Sequence, residues 1–586
     1  MKTNKRFLAA MTASLLALTP MAATSMLIAN AEDCTITVNN SVGGYEYTAY
    51  KIFKGDKSGT DPNYKLSNLK WADGFDYTNF ISALKSDTTL STTFSGVTDA
   101  ESVAAALDTI KTDNNKLAQF AKLAFANKGT TTSYESTYNS TTGYTIPATE
   151  AGYYLVEESS VPTGAVTSRY MLKVAGTTSV EPKRPSPSLT KEIVGPNANA
   201  DKDANTASVG DVVEYKLNSA VPDMTGYNKY FFVVNDTMEP GLTFNPDSVA
   251  VKIGNTDLTN KAEAGAGVNT TFEVQTGDAA SGKTFQIVFN NFIQYNTTDY
   301  INQPIEITYN ATVNNAATAG SEKDDANENT VNLTYSNNPN VNSNGGTAGE
   351  PDGPDEPGGT DPKGETTPDK TYTYLTELEI EKVDKANHDT KLKGAKFELT
   401  GESLQAVYHE QGIFKVAADA NPAYYLLTDG TYSKDAPTTE TAGKYVNGMG
   451  AVKYALVTSS DNGYDSINKV NAYGETDNTG KVTFGKIGVG TYKIVETKEP
   501  TGYNKLTEPV VITITATPSA TGCTWSYSKD GGAAASSNSF MIENAQGSTL
   551  PSTGGIGTKM FYLFGSAFVI GASTFIVTKK RVGEDK

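Results

Sequence analysis

The chain is poor in the residues from which active sites are most often built. Of 586 residues, two are cysteine (Cys34 and Cys523), two are histidine (His388 and His409) and two are tryptophan. Two cysteines so far apart give no disulfide framework. A Cys34–Cys523 bond within one elongated chain is not expected, and pairing between neighbouring chains is the conceivable use. The histidines stand apart from any triad or metal pattern. H-E-x-x-H, C-x-x-C, phosphate-loop and G-x-S-x-G motifs are all missing, which weakens the case for an enzyme. Positive charge is also short: 48 Lys+Arg against 66 Asp+Glu leave −18. So acidic a body offers no basic face to phosphates, so nucleic acid is not an expected partner. The Asp/Asn clusters at Asp201–Asn205 and Asp461–Asp465 lack the Gly and closing Glu of a calcium loop and read as turns. No metal and no cofactor is expected.

What the chain does have begins with its two ends. Lys2, Lys5 and Arg6, then apolar Phe7–Leu18, then Ala29-Asn30-Ala31 form the three parts of a secretory signal peptide, residues 1–31. Near the other end, Met560–Thr578 is apolar for 19 residues and is followed by Lys579-Lys580-Arg581. That run is long enough for one membrane-spanning helix, with the basic cluster on its cytoplasmic side. Removing the signal (+3) and residues 554–586 (+5, −2) takes the net charge from −18 to −24. Between the ends lie roughly 520 residues, enough for three or four domains.

In order, residues 32–185 open with strands at Thr35–Val38 and Tyr45–Phe53. Ala100–Ala126 carries three- and four-residue apolar spacing that predicts two helices broken at Asn114-Asn115. Strands return at Gly152–Glu157 and Tyr170–Val174. Three prolines within Pro182–Pro187 predict an extended connector that holds Lys183 in the open. Residues 186–374 read as all-β, with short strands such as Asp211–Leu217, Tyr230–Val234, Thr284–Phe289, Ile305–Val313 and Val331–Tyr335. Residues 336–370 are too poor in apolar groups to pack and predict a flexible acidic loop, after which Thr371–Leu375 could rejoin the sheet. Residues 375–548 form a third β unit, with 401–470 inserted between early strands. The expected fold is mainly β: three tandem Ig-like sandwiches, the first with a helical insertion, between a signal peptide and a C-terminal transmembrane helix.

Leu550-Pro551-Ser552-Thr553-Gly554, ahead of the apolar run, resembles the L-P-x-T-G sorting signal of Gram-positive surface proteins, placing the sorting segment at 549–586. The resemblance implies that a sortase cuts between Thr553 and Gly554 and passes the Thr carbonyl to an amine.

Tyr492-Lys493-Ile494-Val495-Glu496-Thr497-Lys498-Glu499-Pro500-Thr501-Gly502-Tyr503 resembles the "E-box" of collagen-adhesin B-type domains and sortase-assembled pilins. Strand alternation aims Glu496 where Tyr492 and Ile494 point, and a carboxylate buried there is costly unless paired. In that family the Glu promotes a bond between a Lys of the first strand and an Asn of the last, here Lys382 and Asn544. A desolvated lysine loses its proton and becomes a nucleophile, while the acid relays protons as ammonia leaves. The plain alternative is a buried Lys382–Glu496 salt bridge.

The second unit resembles the isopeptide-forming D2 fimbrial domain, which implies Lys191, Asp236 as the acid, and Asn329. Asn327 and Asn332 are rivals, but alternation sets Asn329 in phase with Val331, Leu333 and Tyr335. The first unit departs from the pattern. Glu157 aligns with Glu496, yet its closing strand through Val180 holds no Asn, and Lys51 and Lys54 have no evident acceptor, so no cross-link is expected there.

Val180-Glu181-Pro182-Lys183 resembles the V-Y-P-K pilin motif, with Glu181 in place of Tyr. As a whole the chain resembles a Gram-positive major (backbone) pilin. The resemblance implies a structural shaft subunit, autocatalytic only in closing its own cross-links. A pilus-specific sortase would join Thr553 of one subunit to Lys183 of the next. Further implied partners are identical subunits, accessory pilins, peptidoglycan reached through a housekeeping sortase, and a host or surface ligand. The alternatives are an accessory pilin or monomeric wall-anchored adhesin and, from another class, a surface hydrolase.

Overall fold

The computed structural model describes residues 34–59, 64–162, 166–167, 169–174, 176–180, 186–195, 197–263, 271–280, 282–339 and 362–547. The signal peptide, Lys183, and the sorting signal with its apolar run lie outside the described residues. No described helix is long and apolar enough to cross a membrane.

The first unit is two sheets with helices laid beside them. Its opening strand, Thr35–Val38, pairs antiparallel with Gly143–Ile146 and parallel with the closing strand Thr177–Val180. The other sheet sets Gly152–Ser160 between Glu46–Ser58 and Arg169–Val174. Inward positions of the two sheets form one core, with Ile36, Val38, Tyr47, Tyr154 and Val156 buried. A second core packs helices Tyr77–Ser86, Ser91–Phe94, Ala100–Thr109 and Asn114–Ala126 through Phe80, Phe94, Val103 and Phe120. The apolar spacing finds the last two helices but not the first two, one of which is only a single turn. Asn114-Asn115 does not break the helix: Asp113 caps it by accepting from Lys116 N, and Asn114 begins it. The break falls at residues 110–113.

The second unit is a 13-stranded sheet system folded on itself. Thr256–Asn260 pairs with Ala250–Ile253 on one side and Thr271–Thr276 on the other, so it carries the path from one layer to the next. The strand carrying Lys191, Thr190–Val194, lies at one end of that path beside Val212–Ala220. Phe232–Met238, which carries Asp236, pairs with Asn327–Ser336, which carries Asn329. The chain does return after the acidic stretch: Asp369–Tyr374 pairs antiparallel with Asn327–Ser336 and parallel with Ala204–Thr206.

In the third unit Thr376–Asp384 pairs antiparallel with Lys481–Ile487 and parallel with the closing strand Ser539–Asn544. The facing sheet places Gly490–Lys498 between Lys396–Gly401 and Val510–Ser519. Residues 401–470, inserted between Lys396–Gly401 and Lys481–Ile487, carry strands of their own. Ala406–His409, Gly412–Val416 and Tyr454–Val457 extend the first of these sheets, packing on Phe414 and Tyr454.

The second and third units share one apolar core, which Val166 of the first unit also joins. Their seam is hydrogen-bonded on several sides: Trp525 Nε1 donates to Gly320 O, Cys523 N to Ser321 O, and Gly488 N to Ser208 Oγ. A Cβ on Gly488 would lie 2.9 Å from the Ala207 carbonyl carbon, so this close approach requires glycine. Both cysteines are buried, and burial pushes the Cys523 thiol up to about 12.

Candidate intramolecular cross-link sites

Three polar side chains meet in the apolar interior of the third unit. On Thr376–Asp384, Leu378, Ile380 and Lys382 alternate inward, so the lysine takes the next core position after two aliphatic ones. On Gly490–Lys498, Tyr492, Ile494 and Glu496 do the same from the facing sheet. Asn544 ends the closing strand two register positions beyond Lys382, opposite Asp384. The side chains of Lys382 and Glu496 have no solvent exposure.

The three form a closed triangle. Lys382 Nζ donates to Asn544 Oδ1 at 2.6 Å, Asn544 Nδ2 donates to Glu496 Oε1 at 2.9 Å, and Lys382 Nζ lies 3.2 Å from Glu496 Oε1. Leu506 N donates to Glu496 Oε2 at 2.7 Å and fixes the carboxyl from behind. Burial drives the Lys382 pKa down to about 8, against the opposing pull of Glu496. An amine closer to losing its proton, set against an amide carbonyl whose nitrogen faces an acid, is the arrangement that amide exchange needs.

The second unit assembles the same types of group differently. Lys191 Nζ is 2.8 Å from Asp236 Oδ2, both side chains fully enclosed. Burial lowers the lysine to about 8 and raises the aspartic acid, Lys191 itself opposing the latter shift. Asn329 is fully buried, but its Nδ2 donates to Tyr309 Oη at 3.3 Å, and that hydroxyl donates to Asp236 Oδ2 at 2.5 Å. The rings of Tyr215 and Tyr309 flank Lys191 Nζ, with centroids 4.9 and 5.5 Å away. Asp369, from the returning strand, accepts the Lys191 backbone N–H at 2.8 Å.

Sequence reasoning missed Tyr309 and Asp369. Tyr309 left a signal: it sits in phase with Ile305, Ile307, Ala311 and Val313, a hydroxyl-bearing residue on a wholly buried face. Of the rival asparagines, Asn327 is also buried, but its amide is engaged with Thr318 O and Thr373 O and holds a turn.

In the first unit the buried acid is Glu158, 5 % exposed, while Glu157 is half-buried. The tyrosines explain the offset. Tyr492 donates its hydroxyl to Gly488 O, four residues back, and Tyr154 does the same to Glu150 O. Matching Tyr154 to Tyr492 puts Glu158, not Glu157, opposite Glu496. The described opening strand, Thr35–Val38, contains no lysine and the closing strand, Thr177–Val180, no asparagine. Lys51 instead pairs with Glu150 at 2.5 Å.

Among the described residues no cluster of three or more His, Cys, Asp or Glu could hold a metal ion. Tandem β-sandwiches, two of them built around a buried lysine, acid and asparagine, define a class of structural protein.

Comparison with known families narrows the class. Residues 209–339 match the model of the Gram-positive pilin backbone subunit 2 Cna-B-like domain, 376–527 the prealbumin-like fold domain, and 542–582 the LPXTG cell wall anchor motif. A curated relative, the trypsin-resistant surface T6 protein of Streptococcus pyogenes serotype M6, is 29 % identical over 419 residues, covering 69 % of this chain and 71 % of that protein. The solved structure of the T6 backbone pilin of serotype M6 Streptococcus pyogenes covers 89 % of this chain and 100 % of its own, at 17 % identity and TM-score 0.51. The pilin-backbone and LPXTG-anchor matches and the T6 relative together support a sortase-assembled major pilin of the Gram-positive type, a structural subunit of a cell-wall-anchored surface pilus.

Proposed function

We propose that this subunit forms the shaft of a covalent pilus in which Thr553 of one copy is joined to Lys183 of the next. Each copy is stapled internally by Lys191–Asn329 and Lys382–Asn544 isopeptide bonds, with Asp236 and Glu496 as the acids. Cleavage falls between Thr553 and Gly554, with Leu550 and Pro551 read by a pilus-specific sortase. Accessory pilins share the polymer, and a housekeeping sortase passes its last subunit to peptidoglycan. Binding of a host or surface ligand belongs to the same reading. The domains run 32–185, 186–374 and 375–548.

The observation that carries the staple reading is the 2.6 Å approach of Lys382 Nζ to Asn544 Oδ1 inside a fully buried triangle closed by Glu496. Such a group is costly to bury as a bare ion pair, whereas an amide with its ammonia gone is neutral. The T6 relative is described as trypsin-resistant, and stapled sandwiches give a physical basis for the same resistance here.

Peptide mass spectrometry tests the staples: residues 191 with 329, and 382 with 544, are each expected as a joined pair lighter by one ammonia. Full-mass peptides at both sites would sink the staple reading. Blotting wall extracts of the Lys183→Ala strain tests the joint, because a high-molecular-weight ladder that persists rules out Lys183 as the acceptor.

A further inference from the structure

The two sites differ in reach. Glu496 touches both reactants, Lys382 Nζ at 3.2 Å and Asn544 Nδ2 at 2.9 Å. Asp236 has one methylene fewer. It touches Lys191 at 2.8 Å, while its other oxygen, Oδ1, has no hydrogen-bond partner among the described residues. Asn329 Oδ1 is likewise without one. What lies between the acid and the amide nitrogen is the Tyr309 hydroxyl, 2.5 Å from Asp236 Oδ2 and 3.3 Å from Asn329 Nδ2. It is held there by packing on Tyr215, Phe244 and Phe285.

We propose that Tyr309 is a catalytic residue of the second unit's cross-link, relaying a proton from Asp236 to the departing nitrogen of Asn329 and so spanning the gap that the shorter acid leaves. This rests on the reading that Lys191 and Asn329 join.

The step balances as follows. Neutral Lys191 Nζ attacks Asn329 Cγ, and the new C–N bond places negative charge on Oδ1. Nζ gives its extra proton to Asp236. Asp236 passes a proton to Tyr309 Oη, which gives its own to Nδ2. The Cγ–Nδ2 bond breaks, ammonia leaves, and acid and tyrosine return to their starting states. The hydroxyl must carry a proton at the start and turn it from Asp236, to which it donates in the resting site, toward Nδ2 as it accepts one from the acid. Burial and the adjacent Asp236 hold its pKa well above the ordinary tyrosine value, so it stays protonated. A proton on Asp236 also supplies a donor in a pocket where two acceptor oxygens stand unsatisfied.

The test is a time course of cross-linking in newly synthesised whole chain from cell-free translation, read by peptide mass spectrometry. Tyr309→Phe, which keeps the ring contacts, is expected to slow the Lys191–Asn329 bond roughly a hundredfold, the usual range for general acid–base assistance. The Lys382–Asn544 bond, which has no tyrosine in its triangle, should form at the wild-type rate. A ring-fluorinated tyrosine at 309 keeps the shape but makes the hydroxyl more acidic, and should change the rate severalfold. A merely structural tyrosine would not respond. Wild-type rates in Tyr309→Phe or in the fluorinated chain overturn the relay, and if Tyr309→Phe misfolds the fluorinated chain alone decides. Absence of the 191–329 bond from the wild-type chain would instead overturn the cross-link reading on which the relay rests.

Discussion

The first and third units are two versions of one framework. In both, the opening strand lies between an antiparallel neighbour and a parallel closing strand. In both, a facing strand carries an inward tyrosine bonded four residues back and, four residues on, a buried glutamate. The third unit has Lys382 and Asn544 beside that acid; the first has Ile36 and Val38 on its opening strand and Thr177–Val180 on its closing one. The buried carboxyl is therefore a property of the sandwich, and cross-linking chemistry depends on two further side chains at fixed register. An acid signature alone does not identify a reactive domain.

The largest way to break the comparison is to unstaple the third unit. Glu496→Gln keeps the shape but removes the acid, and the peptides should regain one ammonia. The closed loop spans 162 residues. Losing it should cost about 5 kcal/mol on the loop-entropy model, read as a lower unfolding midpoint. An unchanged mass in Glu496→Gln would show that the acid is dispensable. The converse experiment builds the missing pair into the first unit. Ile36→Lys with Val180→Asn reproduces the offset of the third, since Val180 pairs with Val38, two residues past Ile36, as Asn544 pairs with Asp384, two past Lys382. A product lighter by one ammonia is expected, and its absence in a folded chain would mean that the Glu158 pocket differs in more than these two residues.

A smaller effect separates the two glutamates. Glu158→Ala should destabilise the first unit by roughly 1–3 kcal/mol in thermal or urea unfolding, and Glu157→Ala by less than about 0.5. The reverse order would restore Glu157 as the counterpart of Glu496. The mildest test is pH. In an Asn544→Ala chain, where no bond forms, the Lys382 pKa near 8 lies below its ordinary 10.5, so the unfolded chain binds more protons between those values. Stability should therefore rise with pH across that window and be flat, at its lower level, beneath it. A fall with pH would mean that Lys382 is held charged.

Much of this was legible from residue order. The staple candidates were readable because strand alternation with period two ties a residue's number to the side it faces, so Lys382, Glu496 and Asn329 declare themselves as polar groups in apolar phase. That rule fails where numbering slips. Glu157 and Glu158 are adjacent, both follow an apolar run, and only the tyrosine bond to Glu150 O reveals which is inside. Tyr309 was passed over because tyrosine is at home in a β core, and nothing local tells a structural hydroxyl from one set between an acid and an amide. The tract 401–470 stands out as an insertion because its strands pair mostly with one another, Gly412–Val416 with Ala406–His409 and with Tyr454–Val457.

The returning strand Asp369–Tyr374 has a consequence for elasticity. With the bond closed between Lys191 and Asn329, load entering the second unit crosses to Asn329 and must then follow the main chain as far as Lys382 (382 − 329 = 53 residues). That stretch sits outside both covalent loops. Its returning strand is held by ladders to Asn327–Ser336 and Ala204–Thr206 and by the core shared with the third unit. A shaft of such subunits keeps its repeat length until those ladders part, then gains up to about 180 Å per subunit at the reach of an extended chain. Because the anchor points at either end stay bonded, the strand can return to its place when the pull is released.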